Sequence, residues 1–182
     1  MSSPLVILDR DGVINFDSEA FIKSPEEWLP IPGSLEAIAQ LHQAGWRVTV
    51  ASNQSGVGRG LMDEEALEAI HRRMEQAVEA AGGHLDGIFY CPHHPDEGCR
   101  CRKPLPGLLQ AIATHFDVSL ENVSVIGDSA RDIEAAIAAG ANPVLVLTGN
   151  GEQTRAGLPV DSTVSFYADL SAAVDALLEA GP

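Results

Sequence analysis

Four aspartates and one lysine stand at spacings that suit chemistry. Asp9 and Asp11 follow an apolar stretch, Lys103 lies in the segment RKP, and Asp128 and Asp132 occur in GDSARD. Such carboxylates can act as nucleophiles, as general acids or bases, or as oxygen ligands of a hard cation such as Mg²⁺. Each cluster also has a simpler interpretation, because Asp followed by Gly is a common turn and Asp128 can cap a helix.

A polar, glycine-rich segment, SNQSGVGRG, begins at Ser52. Ser52, Asn53 and Gln54 are candidates for hydrogen bonds to phosphate oxygens, together with exposed backbone amides of the loop. The segment is not a dinucleotide-binding fingerprint, because Leu61 stands where the third glycine is required. A flexible surface loop is the alternative interpretation of its later glycines.

All three cysteines and two of the six histidines fall within residues 91 to 101. The candidate metal ligands form two pairs, each two residues apart: Cys91 with His93, and Cys99 with Cys101. Side chains at i and i+2 of an extended segment project to the same side, and the intervening PDEG predicts a turn that joins the pairs. Three thiolates and one imidazole close a tetrahedral shell, which predicts a structural Zn²⁺ site. His94 in place of His93, or a set of free thiols, are the alternatives.

Apolar runs alternate with helical patterns along the chain. The predicted strands cover 5–8, 47–51, 88–90, 123–126 and 144–147, and the predicted helices cover 34–44, 63–82, 108–116 and 129–140. Residues 150–182 are predicted to add a last strand and helix. This alternation predicts a doubly wound, Rossmann-like α/β fold, a parallel sheet with helices on both faces. Ligands bind beyond the carboxyl ends of such strands, where the polar clusters lie.

Length and charge limit the possible partners. Residues 1–182 are expected to form a single domain without a large cap, because only about 20 residues separate Asp11 from the next helix. A formal net charge of −15 disfavours nucleic acid. No apolar run approaches the roughly 20 residues that span a bilayer, and the N-terminus lacks a secretory signal. We therefore expect a cytoplasmic monomer that binds a small anionic molecule and neither nucleic acid nor membrane.

The order of the clusters resembles a known family. The pattern hhhhDxDG, a strand ending in Ser, a Lys and then GDxxxD is similar to the four motifs of the haloacid dehalogenase superfamily of phosphotransferases, over about residues 4 to 150. The resemblance implies that Asp9 is the nucleophile, which forms an aspartyl-phosphate, and that Asp11 is the general acid and base. It implies that Ser52 and Lys103 hold the phosphoryl group.

The same resemblance implies a catalytic Mg²⁺ bound by Asp9, Asp128 and the backbone carbonyl of Asp11. Asp132 is expected just outside this group, where it either touches the metal ligands or orients Lys103. The chemistry is consistent with these roles, because a carboxylate that attacks a phosphate dianion needs nearby positive charge.

The cysteine segment CPHHPDEGCRCRKP resembles the zinc loop of two subfamilies, the D-glycero-D-manno-heptose 1,7-bisphosphate 7-phosphatases and the histidinol-phosphate phosphatases. The segments SNQSGVGRG and SPEEWLPIPGS resemble the heptose subfamily. This implies a phosphorylated sugar as substrate, in the supply of heptose for lipopolysaccharide or S-layers, with Arg59 and Arg102 as candidates for its uncleaved phosphate. Histidinol phosphate is the alternative substrate. A phospho-acceptor signalling module and a hydrolase that uses zinc directly are the alternatives of other classes.

Overall fold

A computed structural model describes residues 3 to 181 and shows strands and helices in alternation. The strands are β1 Leu5–Leu8, β2 Arg47–Asn53, β3 Gly87–Cys91, β4 Ser124–Gly127, β5 Asn142–Val146 and β6 Ser165–Tyr167. The helices are α1 Ser34–Gln43, α2 Glu64–Ala80, α3 Gly107–Phe116, α4 Ala130–Ala139, α5 Gly151–Gly157 and α6 Leu170–Ala180. Residues 1, 2 and 182, which the single-domain prediction includes, lie outside the described residues.

The six strands form one parallel sheet in the order β3-β2-β1-β4-β5-β6. The chain moves outward from β1 to β3 and then crosses back to β4 on the other side of β1. The direction of winding therefore changes between β1 and β4, and a crevice opens beyond the carboxyl ends of these two strands. This topology confirms the predicted doubly wound fold.

Alternate residues of β1 pack against opposite layers of helices. Val6 and Leu8 belong to a core shared with α1, α2 and α6, whereas Leu5 and Ile7 belong to a core shared with α3 and α4. All four side chains are at most 5% exposed, as expected for a parallel strand covered on both faces. The helices thus lie on both faces of the sheet, as predicted.

Two differences from the predicted elements concern the site. Strand β2 continues to Asn53, because Ser52 and Asn53 still pair with Tyr90 and Cys91 of β3. Both polar side chains are thus held by a strand and not by a loop. Helix α5 was not predicted, because its sequence GEQTRAG is short and has no apolar periodicity.

No separate domain core lies in the described segment between β1 and α1. It contains turns and a single 3-10 turn, Pro25–Glu27. Trp28 is 1% exposed and belongs to the main core, so it is a packing residue. Among the described residues, no helix is both long and apolar enough to cross a membrane.

Candidate active site

Residues from several strand ends meet in a cleft of about 240 Å³ at the carboxyl edge of the sheet. Asp9, Asp11, Lys103, Asp128 and Asp132 all line it. The predicted residues Asn53, Gln54, Arg59 and Arg102 line the same cleft, whereas Ser52 is 1% exposed and lies behind Gln54, which donates to its Oγ. The topology therefore brings Asp9 and Asp132 to one cleft, although they are 123 positions apart in the chain.

Lys103 connects two of the carboxylates. Its Nζ donates to Asp9 Oδ1 at 3.0 Å, to Asp132 Oδ1 at 2.6 Å and to the carbonyl of Ala51 at 2.7 Å. The residue is 3% exposed. Burial lowers the pKa of Lys103, but the charges of Asp132 and Asp9 outweigh burial and raise this pKa above its usual value. The ammonium is therefore fully charged beside Asp9.

Asp132 is oriented by the start of α4. Its Oδ2 accepts hydrogen bonds from the backbone N of Ser129 at 3.0 Å and from Ser129 Oγ at 2.8 Å. Gly127 permits this approach, because a Cβ at that position would overlap the Asp132 side chain. Burial raises the pKa of Asp132, yet Lys103 and the Ser129 donors lower it overall. The sequence left open whether Asp132 touches the metal ligands or orients Lys103, and the structure shows a direct contact with Lys103.

Asp128 is held by residues that follow β5. Its Oδ2 accepts from the backbone N of Asn150 at 2.8 Å and from Asn150 Nδ2 at 3.1 Å, and its carbonyl accepts from Thr154 Oγ1 at 2.8 Å. The carboxylate also packs against Gly12 and Gly149, where a Cβ would overlap Oδ2. The N-cap of α4 is Ser129, so Asp128 is free of the capping role.

Sequence reasoning missed Asn150 and Thr154. The signal was present, because the rule that ligands lie beyond strand ends also applies to the segment after the fifth strand. That segment contains TGNGEQT, so polar residues follow this strand as they follow the other strands that contribute to the site.

Three carboxylates, two of them buried and one partly buried, form a group that can hold a cation. Carboxylate oxygens of Asp9, Asp128 and Asp132 lie within 4.8 Å of one another. Burial, then Asp132, raises the pKa of Asp9 well above its usual value, although Lys103 opposes this. Burial and Asp132 likewise raise the pKa of Asp128 to about 6, against the Asn150 donors. Burial strengthens the repulsion between these carboxylates. A hard cation bound between them would offset that repulsion, so such a cation fits this group.

The amides of Asn53 and Gln54 are engaged with neighbouring groups. Asn53 Nδ2 donates to the backbone carbonyl of Lys103, and Asn53 Oδ1 accepts from the backbone N of Lys103, both at 3.0 Å. Gln54 Nε2 donates to Asp11 Oδ2 at 3.0 Å and to Ser52 Oγ at 2.7 Å. In this structure both amides therefore position other site residues.

Three guanidinium groups line the cleft. Arg59 and Arg102 were predicted, and Arg131, in the first turn of α4, was not. Burial lowers the pKa of Arg102, and the charges of Arg131 and Arg59 lower it further. Positive charges that repel one another in this way favour an anion between them. The segment SARD contained the signal for Arg131, because an arginine there lies between two site aspartates.

The four predicted metal ligands of the cysteine loop converge. Cys91 Sγ lies 3.6 Å from Cys99 Sγ and 3.4 Å from His93 Nδ1, which lies 3.2 Å from Cys101 Sγ. A tetrahedral zinc site has edges of about 3.6 to 3.8 Å, given its bond lengths. His94 points elsewhere, and its Nδ1 accepts from the backbone N of Asp96. The cluster can therefore hold a metal ion through His93.

The cysteine loop also contacts the glycine-rich loop. The backbone N of Gly58 donates to the carbonyl of Pro92 at 2.8 Å, and a Cβ on Gly58 would overlap the backbone of His94. Arg59 follows Gly58 directly, and Arg102 follows Cys101. The two loops therefore hold both arginines at the same cleft.

A parallel sheet with paired aspartates after its first strand, and a buried lysine and further aspartates at adjacent strand ends, defines a hydrolase of the haloacid dehalogenase class. Residues 100–173 match a family model described as "HAD-hyrolase-like".

The D-glycero-beta-D-manno-heptose-1,7-bisphosphate 7-phosphatase of Pseudomonas putida is 57% identical over 169 residues, which are 92% of this chain and 95% of that protein. The crystal structure of D,D-heptose 1,7-bisphosphate phosphatase from B. bronchiseptica, complexed with magnesium and phosphate, has a TM-score of 0.94 and 53% identity, and the match covers 98% of this chain and 99% of that one. The corresponding Burkholderia thailandensis structure has a TM-score of 0.77 and 41% identity, with 97% and 99% covered. The chain therefore belongs to the heptose 1,7-bisphosphate 7-phosphatase family, and it is a phosphatase. The resemblance to that subfamily is confirmed.

Proposed function

We propose that this protein hydrolyses the 7-phosphate of D-glycero-D-manno-heptose 1,7-bisphosphate and releases the 1-phosphate and inorganic phosphate. The observation that carries the proposal is a cleft with two kinds of anion site. One contains Asp9 and Lys103, and the other is formed by the guanidinium groups of Arg59, Arg102 and Arg131. A bisphosphate needs both, because the phosphate that is not cleaved must also be bound. Histidinol phosphate has no second phosphate, so the arginines favour the sugar.

In the proposed reaction Asp9 attacks the phosphorus, and the ester oxygen leaves with a proton from Asp11. Asp11 then takes a proton from a water molecule, which attacks the aspartyl-phosphate and regenerates Asp9. Lys103, 3.0 Å from Asp9 Oδ1, stabilises the negative charge of the transferring group. Ser52, whose Oγ lies behind Gln54 and accepts from Gln54 Nε2, keeps a hydroxyl proton that is proposed to donate to the same group.

Asp9, Asp128 and the backbone carbonyl of Asp11 are proposed to hold Mg²⁺. The fit rests on the converging carboxylates and on the raised pKa of Asp128, about 6, since a cation would stabilise its charged form. When bound, Mg²⁺ would neutralise charge on the phosphate oxygens. Asn150 donates to Oδ2 of Asp128, and Oδ1 is the oxygen proposed to bind the metal.

Asn150→Ala is expected to raise the Mg²⁺ concentration for half-maximal activity by about 10-fold, because it removes a donor that orients Asp128. Loss of this donor also favours protonated Asp128. Since a proton competes with the metal for Asp128, whose pKa is about 6, we expect wild-type activity at limiting Mg²⁺ to fall as the pH drops through that range, and this limb should move to higher pH in the variant. Mg²⁺ titrations between pH 5 and 8 measure both effects.

Asn142→Ala is the matched control, because Asn142 is exposed at the start of β5 and contacts Ser124 outside the cleft. It should keep the wild-type Mg²⁺ requirement. An unchanged requirement in Asn150→Ala would contradict the proposed role of Asp128.

The cysteine loop is proposed to hold structural Zn²⁺ through Cys91, His93, Cys99 and Cys101. Cys99→Ala is expected to lose the bound zinc and to lower the melting temperature, because metal binding contributes to folding. His94→Ala is the control, since His94 lies outside the ligand group and should retain the metal. Metal analysis and thermal unfolding of the purified variants test this. Equal zinc content and equal melting temperature in Cys99→Ala would refute the site.

The substrate is tested by comparing kcat/KM for both anomers of heptose 1,7-bisphosphate with kcat/KM for histidinol phosphate, in the presence of Mg²⁺. The sugar bisphosphate should be preferred by at least about 10²-fold, because unpaired arginines disfavour the ligand without a second phosphate. A preference for histidinol phosphate would overturn the proposal, and stable phosphorylation without turnover would favour the signalling module. The monomeric state and the cytoplasmic location stay predictions.

A further inference from the structure

Arg10, which lies between the two aspartates of the first cluster, is completely buried at 0% exposure. A buried guanidinium is costly unless it is paired and hydrogen-bonded. Among the described residues, its ion-pair partner is the neighbouring Asp11. Arg10 Nε donates to Asp11 Oδ1 at 3.0 Å, and Arg10 Nη2 donates to Asp11 Oδ2 at 3.1 Å. This is the two-pronged geometry that fixes both the position and the plane of a carboxylate.

Two further amides complete the surroundings of Asp11. Asn15 Nδ2 donates to Oδ1 at 2.9 Å, and Gln54 Nε2 donates to Oδ2 at 3.0 Å. Arg10 Nη2 also donates to Gln54 Oε1 at 3.2 Å, which orients the Gln54 amide. Asn15 is 0% exposed and Gln54 is 3% exposed, so both donors are shielded from water, whereas the Asp11 side chain is 21% exposed toward the cleft. Each oxygen of Asp11 is thus held by two donors, and Arg10 contributes one to each.

The backbone of Arg10 is as constrained as its side chain. Its carbonyl accepts from the backbone N of Ile14 at 2.9 Å, and the backbone N of Gly12 donates to the carbonyl of Asn15 at 2.8 Å. This tight turn places Asn15 beside Asp11. On the other side, α2 contributes His71, whose pKa falls to about 3 because of burial and the charge of Arg10. His71 is therefore neutral and adds no second positive charge beside Arg10.

We infer that Arg10 is a positioning residue, which fixes the Asp11 carboxyl group for proton transfer to the ester oxygen of the leaving alcohol and from the attacking water. The inference rests on the proposed acid and base role of Asp11. Through Gln54, whose Nε2 also lies 2.7 Å from Ser52 Oγ, the same hydrogen-bonded group connects the proton-transfer residue with the proposed phosphate-binding hydroxyl.

The test compares two leaving groups in Arg10→Met. A sugar alkoxide needs a proton as it leaves, whereas p-nitrophenolate does not. The alkyl phosphates are heptose 1,7-bisphosphate and glycerol phosphate. For either of them we expect kcat/KM to fall by about 10²-fold, the usual contribution of general acid catalysis. For p-nitrophenyl phosphate we expect kcat/KM to fall by less than about 5-fold, since Asp9 and Lys103 are untouched. Asp11→Asn should show the same selectivity, and the double variant should be no slower than Asp11→Asn alone.

Arg10→Lys is the second variant, because it keeps the charge and loses the two-pronged geometry, and it serves if Arg10→Met does not fold. It should show the same selectivity between leaving groups. Equal losses of kcat/KM on both substrates, or no loss on the alkyl phosphate, would show that Arg10 only supports the fold. Either result would overturn the inference about Arg10 and leave the proposed function standing. If Asp11→Asn showed no selectivity, the acid role of Asp11 would fail and the inference with it. If the protein does not hydrolyse heptose 1,7-bisphosphate, the proposed substrate is wrong. The comparison of glycerol phosphate with p-nitrophenyl phosphate then decides the inference about Arg10.

Discussion

Asp9→Asn is expected to lower the rate of phosphate release by at least about 10³-fold, because a neutral amide cannot form the aspartyl-phosphate. The fold should survive, since asparagine has nearly the same shape and Lys103 keeps its 2.6 Å contact with Asp132. Phosphate release and phosphoenzyme detection by mass spectrometry measure the effect. Turnover near the wild-type rate would rule out Asp9 as the nucleophile.

Stability gives an independent check on Asp9→Asn. The pKa of Asp9 is raised in the folded protein, so the stability it contributes is present at low pH and is lost as the pH rises through that pKa. Without metal, ionisation of Asp9 above that pKa therefore costs stability. The variant should melt no lower than the wild type at pH 7 to 8 in the absence of Mg²⁺. Asp161→Asn, at an exposed position away from the cleft, is the matched control and should keep wild-type activity.

Lys103→Met is expected to lower both stability and activity. Asp132 and Asp9 would lose a buried countercharge, and breaking such a pair typically costs about 3 to 5 kcal/mol of unfolding free energy. The phosphoryl group would lose its ammonium donor, which we expect to lower kcat by about 10² to 10³-fold. Urea denaturation and phosphatase assays measure the two effects separately.

A double variant separates the two roles of Lys103. Lys103→Met with Asp132→Asn should regain much of the stability, because the uncompensated charge of Asp132 is gone, but it should not regain activity. The other lysine, Lys23, forms an exposed ion pair with Glu27, so Lys23→Met should change stability by less than about 1 kcal/mol. Full activity of the double variant would show that Lys103 acts only on the fold.

The pH dependence of the Lys103 effect follows from the two pKa shifts. The pKa of Asp132 is lowered, so its contribution is present above the usual value of 3.8 and is lost as the pH falls through the folded pKa. The pKa of Lys103 is raised, so its contribution is present below the usual value of 10.5 and is lost only at higher pH. The wild-type ion pair should therefore keep its stabilising effect between about pH 5 and 9, and the stability difference between wild type and Lys103→Met should shrink in strong acid, where Asp132 is protonated in both proteins.

The alternation of strands and helices was predictable because each element has its own local pattern. All four residues of LVIL are buried, and the apolar stripe of α2 begins after its N-cap, Asp63, as predicted. The short helix α5 and the last two residues of β2 were not predictable in this way, because neither has apolar periodicity. Their structure depends on pairing with β3 or on packing at the end of β5.

The sequence by itself determined the sheet, the order of the acidic clusters, the paired cysteines and the family, because each depends on residue types at short spacings. Only the tertiary structure decided how the side chains are connected. Thr148 Oγ1 donates to the carbonyl of Gly12 across 136 positions, Asn150 orients Asp128, and Arg10 turns back to Asp11. These contacts depend on which strand ends are adjacent and on side-chain directions in tight turns. Neither has a repeating pattern along the chain, so neither can be predicted until the sheet has been assembled.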